Sequence, residues 1–111
     1  MKYSEKLAIV KTIEKFMKKH DLNYDVNIYF SNKCWGYDSS GRKTISTDVK
    51  GSDYTNYAND ETITMTFEGA FCEVMNFGTE YTLKLFNEWC ELDFNGYYME
   101  LGNHWNGSFY K

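Results

Sequence analysis

Residues 62 to 67 read TITMTF. Ile63, Met65 and Phe67 fall on one side of an extended chain and Thr62, Thr64 and Thr66 on the other, a period of two that a helix cannot use. A strand with one apolar and one hydroxylated face must lay the apolar face against a second layer. The rest of the chain therefore has to supply both neighbouring strands and a cover.

The cover is legible at the start of the chain. From Ser4 to His20 the apolar residues Leu7, Ile9, Val10, Ile13, Phe16 and Met17 share one side of a helical wheel, and Lys11, Lys15, Lys18 and Lys19 the other. Ser4 is the expected N-cap, and Lys18, Lys19 and His20 complement the negative end of the helix dipole. Residues 24 to 31 return to a period of two, with Val26, Ile28 and Phe30 alternating against Asp25, Asn27 and Tyr29. Residues 33 to 37 and 43 to 47 are two further strands joined through the turn formers Asp38, Ser39, Ser40 and Gly41. Residues 48 to 60 are polar and aperiodic, and read as a loop. After Gly69, the spacing of Phe71, Val74 and Met75 is helical as far as a C-terminal cap at Gly78. Thr79 caps a second stretch whose apolar face is Leu83, Leu85, Phe86, Trp89, Cys90 and Leu92, broken at Asn95-Gly96.

The last sixteen residues, GYYMELGNHWNGSFYK, form a hairpin whose register follows from parity. With Gly102 to His104 as the loop, Leu101 opposes Trp105, Met99 opposes Gly107 and Tyr97 opposes Phe109. Tyr98, Glu100, Asn106, Ser108 and Tyr110 then share the other face. Trp105 is accordingly expected in the core. The whole reads as a single α+β domain over residues 1 to 111, in the order α-β-β-β-β-α-α-β-β, with a mainly antiparallel sheet and helices on one side.

Composition excludes several classes. Hydrophobic residues at 42% and charged residues at 25% can build a core, so disorder is not expected. With 10 Tyr, 8 Phe and 3 Trp, more rings are present than one small core encloses, and Tyr29, Tyr54, Tyr57, Tyr98 and Tyr110 are expected at the surface. The longest aliphatic run, Leu7 to Val10, is far short of a membrane span or a secretory apolar segment, which points to the cytoplasm. Cys34, Cys72 and Cys90, odd in number and widely spaced, are expected as free thiols. Together with His20 and His104 they lack the close spacing of a zinc site, and no cofactor motif is present. His20 and His104 are the only possible imidazole bases, and apolar neighbours around Cys72 and Cys90 favour inert thiols over a Cys90-His104 pair. Catalysis is not expected.

The net charge of -4 hides a division. Residues 1 to 20 hold six lysines against Glu5 and Glu14. Residues 51 to 111 hold ten acids against Lys84 and Lys111. A surface so acidic repels phosphate and attracts basic proteins, especially the cationic grooves of nucleic-acid enzymes. Glu88, Glu91, Asp93, Tyr98 and Glu100 are the expected partner-binding set, gathered by the hairpin folding back on the second-half helix. The alternative is a nucleic-acid contact through Lys11, Lys15, Lys18 and Lys19. Arg42 is the only arginine in the chain, so bidentate phosphate or base reading is almost absent.

In size, acidity, aromatic content, lack of proline and bipolar charge, the chain resembles the small proteins that bacteriophages and mobile elements direct against host defences, anti-CRISPR proteins among them. The resemblance is one of type and carries over no residue. It implies stoichiometric inhibition by binding, with an acidic surface occupying the nucleic-acid site of a defence enzyme.

Overall fold

The alternating segments assemble into one six-stranded, wholly antiparallel sheet in the computed structural model, which describes residues Met1–Lys111. In chain order the elements are α1 (Tyr3–Lys19), β1 (Val26–Phe30), β2 (Lys33–Tyr37), β3 (Lys43–Thr47), β4 (Thr64–Phe67), α2 (Gly69–Met75), α3 (Glu80–Cys90), β5 (Tyr98–Asn103) and β6 (Asn106–Tyr110). A single 3-10 turn, Gly51–Asp53, lies between β3 and β4. The strands lie side by side as β3-β2-β1-β4-β6-β5. The expected α+β class and element order are those observed. No helix is long and apolar enough to cross a membrane.

Local chemistry explains where the elements begin and end. Ser31 and Asn32 link β1 to β2 with φ of 50° and 59°, the backbone that a two-residue hairpin turn of matching twist requires. Asp38 Oδ1 closes the β2-β3 turn by accepting from the Ser40 and Arg42 backbone N–H groups, both at 2.9 Å, and from the Ser40 hydroxyl at 2.8 Å. Thr79 caps α3, its hydroxyl accepting from the Thr82 N–H at 3.1 Å. Helix α1 starts earlier than its Ser4 suggests. Its N-cap is Lys2, and the Glu5 carboxylate reaches back to accept the Lys2 N–H at 3.2 Å, so the acid does what a capping hydroxyl would have done. The left-handed residue that ends α2 is Phe77 (φ 29°) rather than Gly78.

One face of the sheet carries the core. Val26, Ile28, Phe30, Ile63, Met65, Phe67 and Phe109 are all at most 2% exposed. They meet Ile9, Val10, Ile13, Phe16 and Met17 from α1, Phe71, Val74 and Met75 from α2, and Leu85 and Trp89 from α3. Trp89 joins the layers. Its ring centroid lies 5.5 Å from Phe16, 5.5 Å from Phe71 and 5.0 Å from Phe94, while Phe71 and Phe94 reach on to Phe67 of β4 and Phe109 of β6.

The opposite face is half covered, and its cover is the segment read as a loop. Residues 48 to 61 fold across β4 and β6. Gly51 sits so close to Thr64 that an added Cβ would meet its side chain at 2.8 Å. Beneath the segment lies a polar layer. Thr64 and Ser108, each 1% exposed, share a 2.8 Å hydrogen bond, and Ser108 donates to the Tyr57 carbonyl at 3.0 Å. Asn59 Nδ2 and the Thr62 hydroxyl both donate to the Phe109 carbonyl, at 3.1 and 2.6 Å. Tyr54 stacks on Tyr29 at 5.4 Å, which leaves Tyr29 only 8% exposed instead of on the surface. Tyr54, Tyr57, Tyr98 and Tyr110 are exposed as expected.

The C-terminal hairpin keeps its predicted faces but not its register. Met99 pairs with Phe109, Glu100 with Ser108 and Leu101 with Gly107; the turn residues are His104 and Trp105. A shift of two residues preserves parity, so Met99 and Phe109 still point to the core. The extra residue is Gly102, a bulge pressed against Tyr57, where a Cβ would collide at 2.4 Å. Trp105 thus leaves the sheet face for the turn, where it is half-buried. Asn103 Oδ1 accepts its backbone N–H at 2.9 Å.

Glu14 ties α1 to the far edge of the sheet. Tyr37 donates its hydroxyl to Glu14 Oε2 at 2.5 Å, and Lys43 Nζ lies 2.7 Å from the same oxygen. Partial burial pushes this carboxyl up, but the hydrogen bonds from Lys43 and Tyr37 and the charges of Lys43 and Lys18 outweigh it, so the carboxyl titrates below its ordinary 4.5. Burial and the Glu14 charge together hold the Tyr37 phenol above the ordinary tyrosine range.

Two outcomes are expected. Trp89→Ala should cost about 3 to 5 kcal/mol in chemical denaturation, whereas Trp105→Ala, outside the core, should cost clearly less. Because the folded pKa of Glu14 is depressed, its contribution is present above its unfolded value and is lost as pH falls through the folded one. Glu14→Gln should therefore lower the melting temperature at neutral pH and flatten part of the decline below pH 4.5, followed by circular dichroism.

Candidate protein-interaction surface

The fold separates the acids that the sequence invites one to group. Glu88 lies in the helical layer, 2.6 Å from Lys19 Nζ and 2.7 Å from His20 Nε2, and fastens α3 to the end of α1. The Lys19 hydrogen bond holds its carboxyl below the usual range. Asp93 Oδ1 accepts the Asn95 N–H at 2.9 Å and shapes the turn after α3. Glu100 stands on the other face of the sheet, opposite Ser108 and beside Tyr57. The expected set of Glu88, Glu91, Asp93, Tyr98 and Glu100 therefore does not form one patch. Glu88 is paired, Glu91 and Asp93 lie at the end of α3 and in the turn after it, and Tyr98 and Glu100 are alternate residues of β5.

An apolar groove of about 300 Å³ lies between α2, α3 and β5. All eleven residues that line it are hydrophobic: Met75, Phe77, Phe86, Trp89, Cys90, Leu92, Phe94, Tyr97, Tyr98, Met99 and Leu101. Its floor is the Trp89-Phe94 part of the core, and its lip is open. Phe77 is 46% exposed, Tyr98 51% and Leu101 39%. Phe77 rests against Phe86 with centroids 4.8 Å apart. Along the chain the exposed acids Glu91 and Asp93 alternate with the groove residues Cys90, Leu92 and Phe94. Leu101 was expected on the core face, and the bulge at Gly102 leaves it at the lip. The one sequence signal for Phe77 was an aromatic ring between two helices with no periodic partner.

Few ion pairs involve the second half of the chain, and the one cation at the groove is Lys111, whose Nζ lies 5.3 Å from the Tyr97 ring centroid. The ion pairs are Lys18-Glu14, Lys19-Glu88 and Lys43-Glu14, with His20 Nε2 also 2.7 Å from Glu88. Of the ten acids after residue 50, Glu88 alone is therefore paired. On α1, Lys11 and Lys15 are exposed without an acidic partner, while Lys18 lies 3.9 Å from Glu14 and Lys19 is held by Glu88.

A larger open cleft of about 660 Å³ lies on the uncovered part of the other sheet face. Its floor is Asn27, Cys34, Thr44, Ser46 and Thr66, its walls include Tyr54 and Trp105, and its rim Asp25, Asp38, Arg42 and Glu68. Much of its polarity is internally matched. Asn27 Nδ2 donates to Thr66 at 3.3 Å, Cys34 Sγ to Asn27 Oδ1 at 3.7 Å, and Asp38 is occupied by its own turn.

The three cysteines are free and lie apart, on β2, α2 and the end of α3. Burial raises the thiol pKa of each. Cys72 Sγ donates to the His104 carbonyl at 3.1 Å, whereas the Cys90-His104 pairing considered from sequence has no contact. No three His, Cys, Asp or Glu side chains are placed to hold a metal ion.

No protein-family model matches the chain, and no curated protein or solved structure is significantly similar to it. Glu88→Ala should test the layer contact directly. Losing the bridge to Lys19 and His20 should raise amide exchange at the ends of α1 and α3, read by hydrogen-deuterium exchange, with the strands unchanged.

Proposed function

We propose that the protein is a small cytoplasmic protein-binding inhibitor, of the kind phages and mobile elements encode, that engages a basic, nucleic-acid-handling enzyme such as a CRISPR effector. The observation that carries this reading is an open, wholly apolar groove whose lining residues Cys90, Leu92 and Phe94 alternate in sequence with the exposed, unpaired acids Glu91 and Asp93. Apolar anchors seated in a pocket supply most of the energy of an interface, and rim charges set association rate and orientation. A partner segment that presents an aliphatic or aromatic side chain among lysines and arginines fits both requirements. The groove's floor, Met75, Trp89 and Phe94, belongs to the packed core, so that part of the surface is preorganised and its ordering opposes binding little. Bare nucleic acid is the alternative partner. Two of the four lysines proposed for it already face acids, which leaves Lys11 and Lys15 as a weak phosphate contact.

The test is a gel shift at low salt with single- and double-stranded DNA and RNA, alone and with a purified basic nuclease. The protein should leave bare nucleic acid unshifted and should displace it from the nuclease. Glu91→Lys combined with Asp93→Asn, which keeps the turn acceptor, should slow capture about tenfold at low ionic strength. Phe77→Ser should speed dissociation by a similar factor, and Lys11→Glu with Lys15→Glu should change little. If the lysine pair abolishes displacement and the groove variants do not, the groove is not the site.

A further inference from the structure

We propose that β3 is a self-association edge, on which a second copy of this chain docks antiparallel, β3 against β3, with Ile45 on the two-fold axis. All five residues of β3 are exposed, and the strand forms one end of the sheet. Its backbone phase is set by the hydrogen bond from the Asp38 N–H to the Arg42 carbonyl, which continues the pairing of β2 with β3. In an antiparallel ladder such pairs alternate, so Arg42, Thr44 and Ser46 turn their backbone groups toward β2, and Lys43, Ile45 and Thr47 turn theirs outward. A copy related by a two-fold axis through Ile45 brings Lys43 opposite Thr47 on both sides and Ile45 opposite itself, completing about six backbone hydrogen bonds with every outward group matched.

Side chains fit the same register. Edge strands are ordinarily guarded by proline, bulges or projecting charge. β5, at the other end, is guarded by the Gly102 bulge and by Glu100. β3 has none of these. Its single charge, Lys43, is folded back onto the helical side, 2.7 Å from Glu14 and 3.5 Å over the Trp35 ring. Ile45, β-branched and 55% exposed, would stack on its copy beside the two Trp35 rings. One residue beyond each end, exposed Arg42 of one copy faces exposed Asp48 of the other, twice, and neither has an ion-pair partner within the chain. The groove on the β5 side stays open in such a dimer, so the inference is independent of the proposed function.

Sedimentation equilibrium at low salt, from about 10 μM to about 1 mM, tests it. The mean mass should rise from 13.1 kDa toward twice that value with concentration. Ile45→Pro removes an outward N–H and no intrachain bond, so it should remain monomeric throughout while melting within a few degrees of wild type. Asp48→Arg should weaken association about tenfold, and Arg42→Asp added to it should restore most of the loss. A wild-type protein monomeric across the range, or an Ile45→Pro protein that dimerises as well as wild type, overturns the proposal. Should Ile45→Pro unfold, the charge exchange decides, and failure of the double variant to recover rejects this register.

Discussion

The structure depends on the packing of aromatic edges around Trp89. A sheet face of β-branched and aromatic residues can be covered by helices in many ways, and dispersion alone does not choose among them. Phe16, Phe71 and Phe94 meet Trp89 from three directions, two of them near-perpendicular, and pass the contact to Phe67 and Phe109 on the strands. Such edge-to-face arrangements are directional, and they fix how α1, α2 and α3 sit over the sheet. The same choice leaves a gap where α2 and α3 diverge from β5, and that gap is the apolar groove.

Charge follows from the same placement. Helix α1 brings Lys19 and His20 against α3, which neutralises Glu88, and brings Glu14 under Tyr37 and Lys43, which neutralises the guard of β3. Pairing is therefore concentrated where α1 touches its neighbours, and apart from Glu88 the acids after residue 50 form no ion pair. The two ends of the sheet differ as a result. The β5 end carries an open apolar groove, and the β3 end carries a bare, electrically quiet ladder.

What could be read from sequence is what depends on neighbours in the chain. The alternation of TITMTF, the amphipathic wheel of α1, the Thr79 cap and the parity of the last hairpin are local, and the structure contains each of them. The hairpin register slipped by two because the bulge at Gly102 is imposed by Tyr57, a residue 45 positions away in a segment with no period of its own. That segment looked like a loop because its contacts, Gly51 on Thr64 and Tyr54 on Tyr29, are with strands that only the strand order brings beneath it. The acidic patch failed for the same reason. Glu88 and Glu100 are twelve residues apart but stand on opposite sides of the sheet, and no spacing rule reports which face a distant strand presents.

The most direct measurement is a two-dimensional amide NMR titration of the isotope-labelled protein with a synthetic amphipathic peptide of alternating leucine and lysine. The account predicts saturable shifts at Phe77, Phe86, Leu92, Met99 and Leu101 that weaken as salt is added, with Lys11 and Lys15 undisturbed. Shifts confined to α1 or to the open cleft around Asn27 and Thr66, with the groove silent, would contradict it.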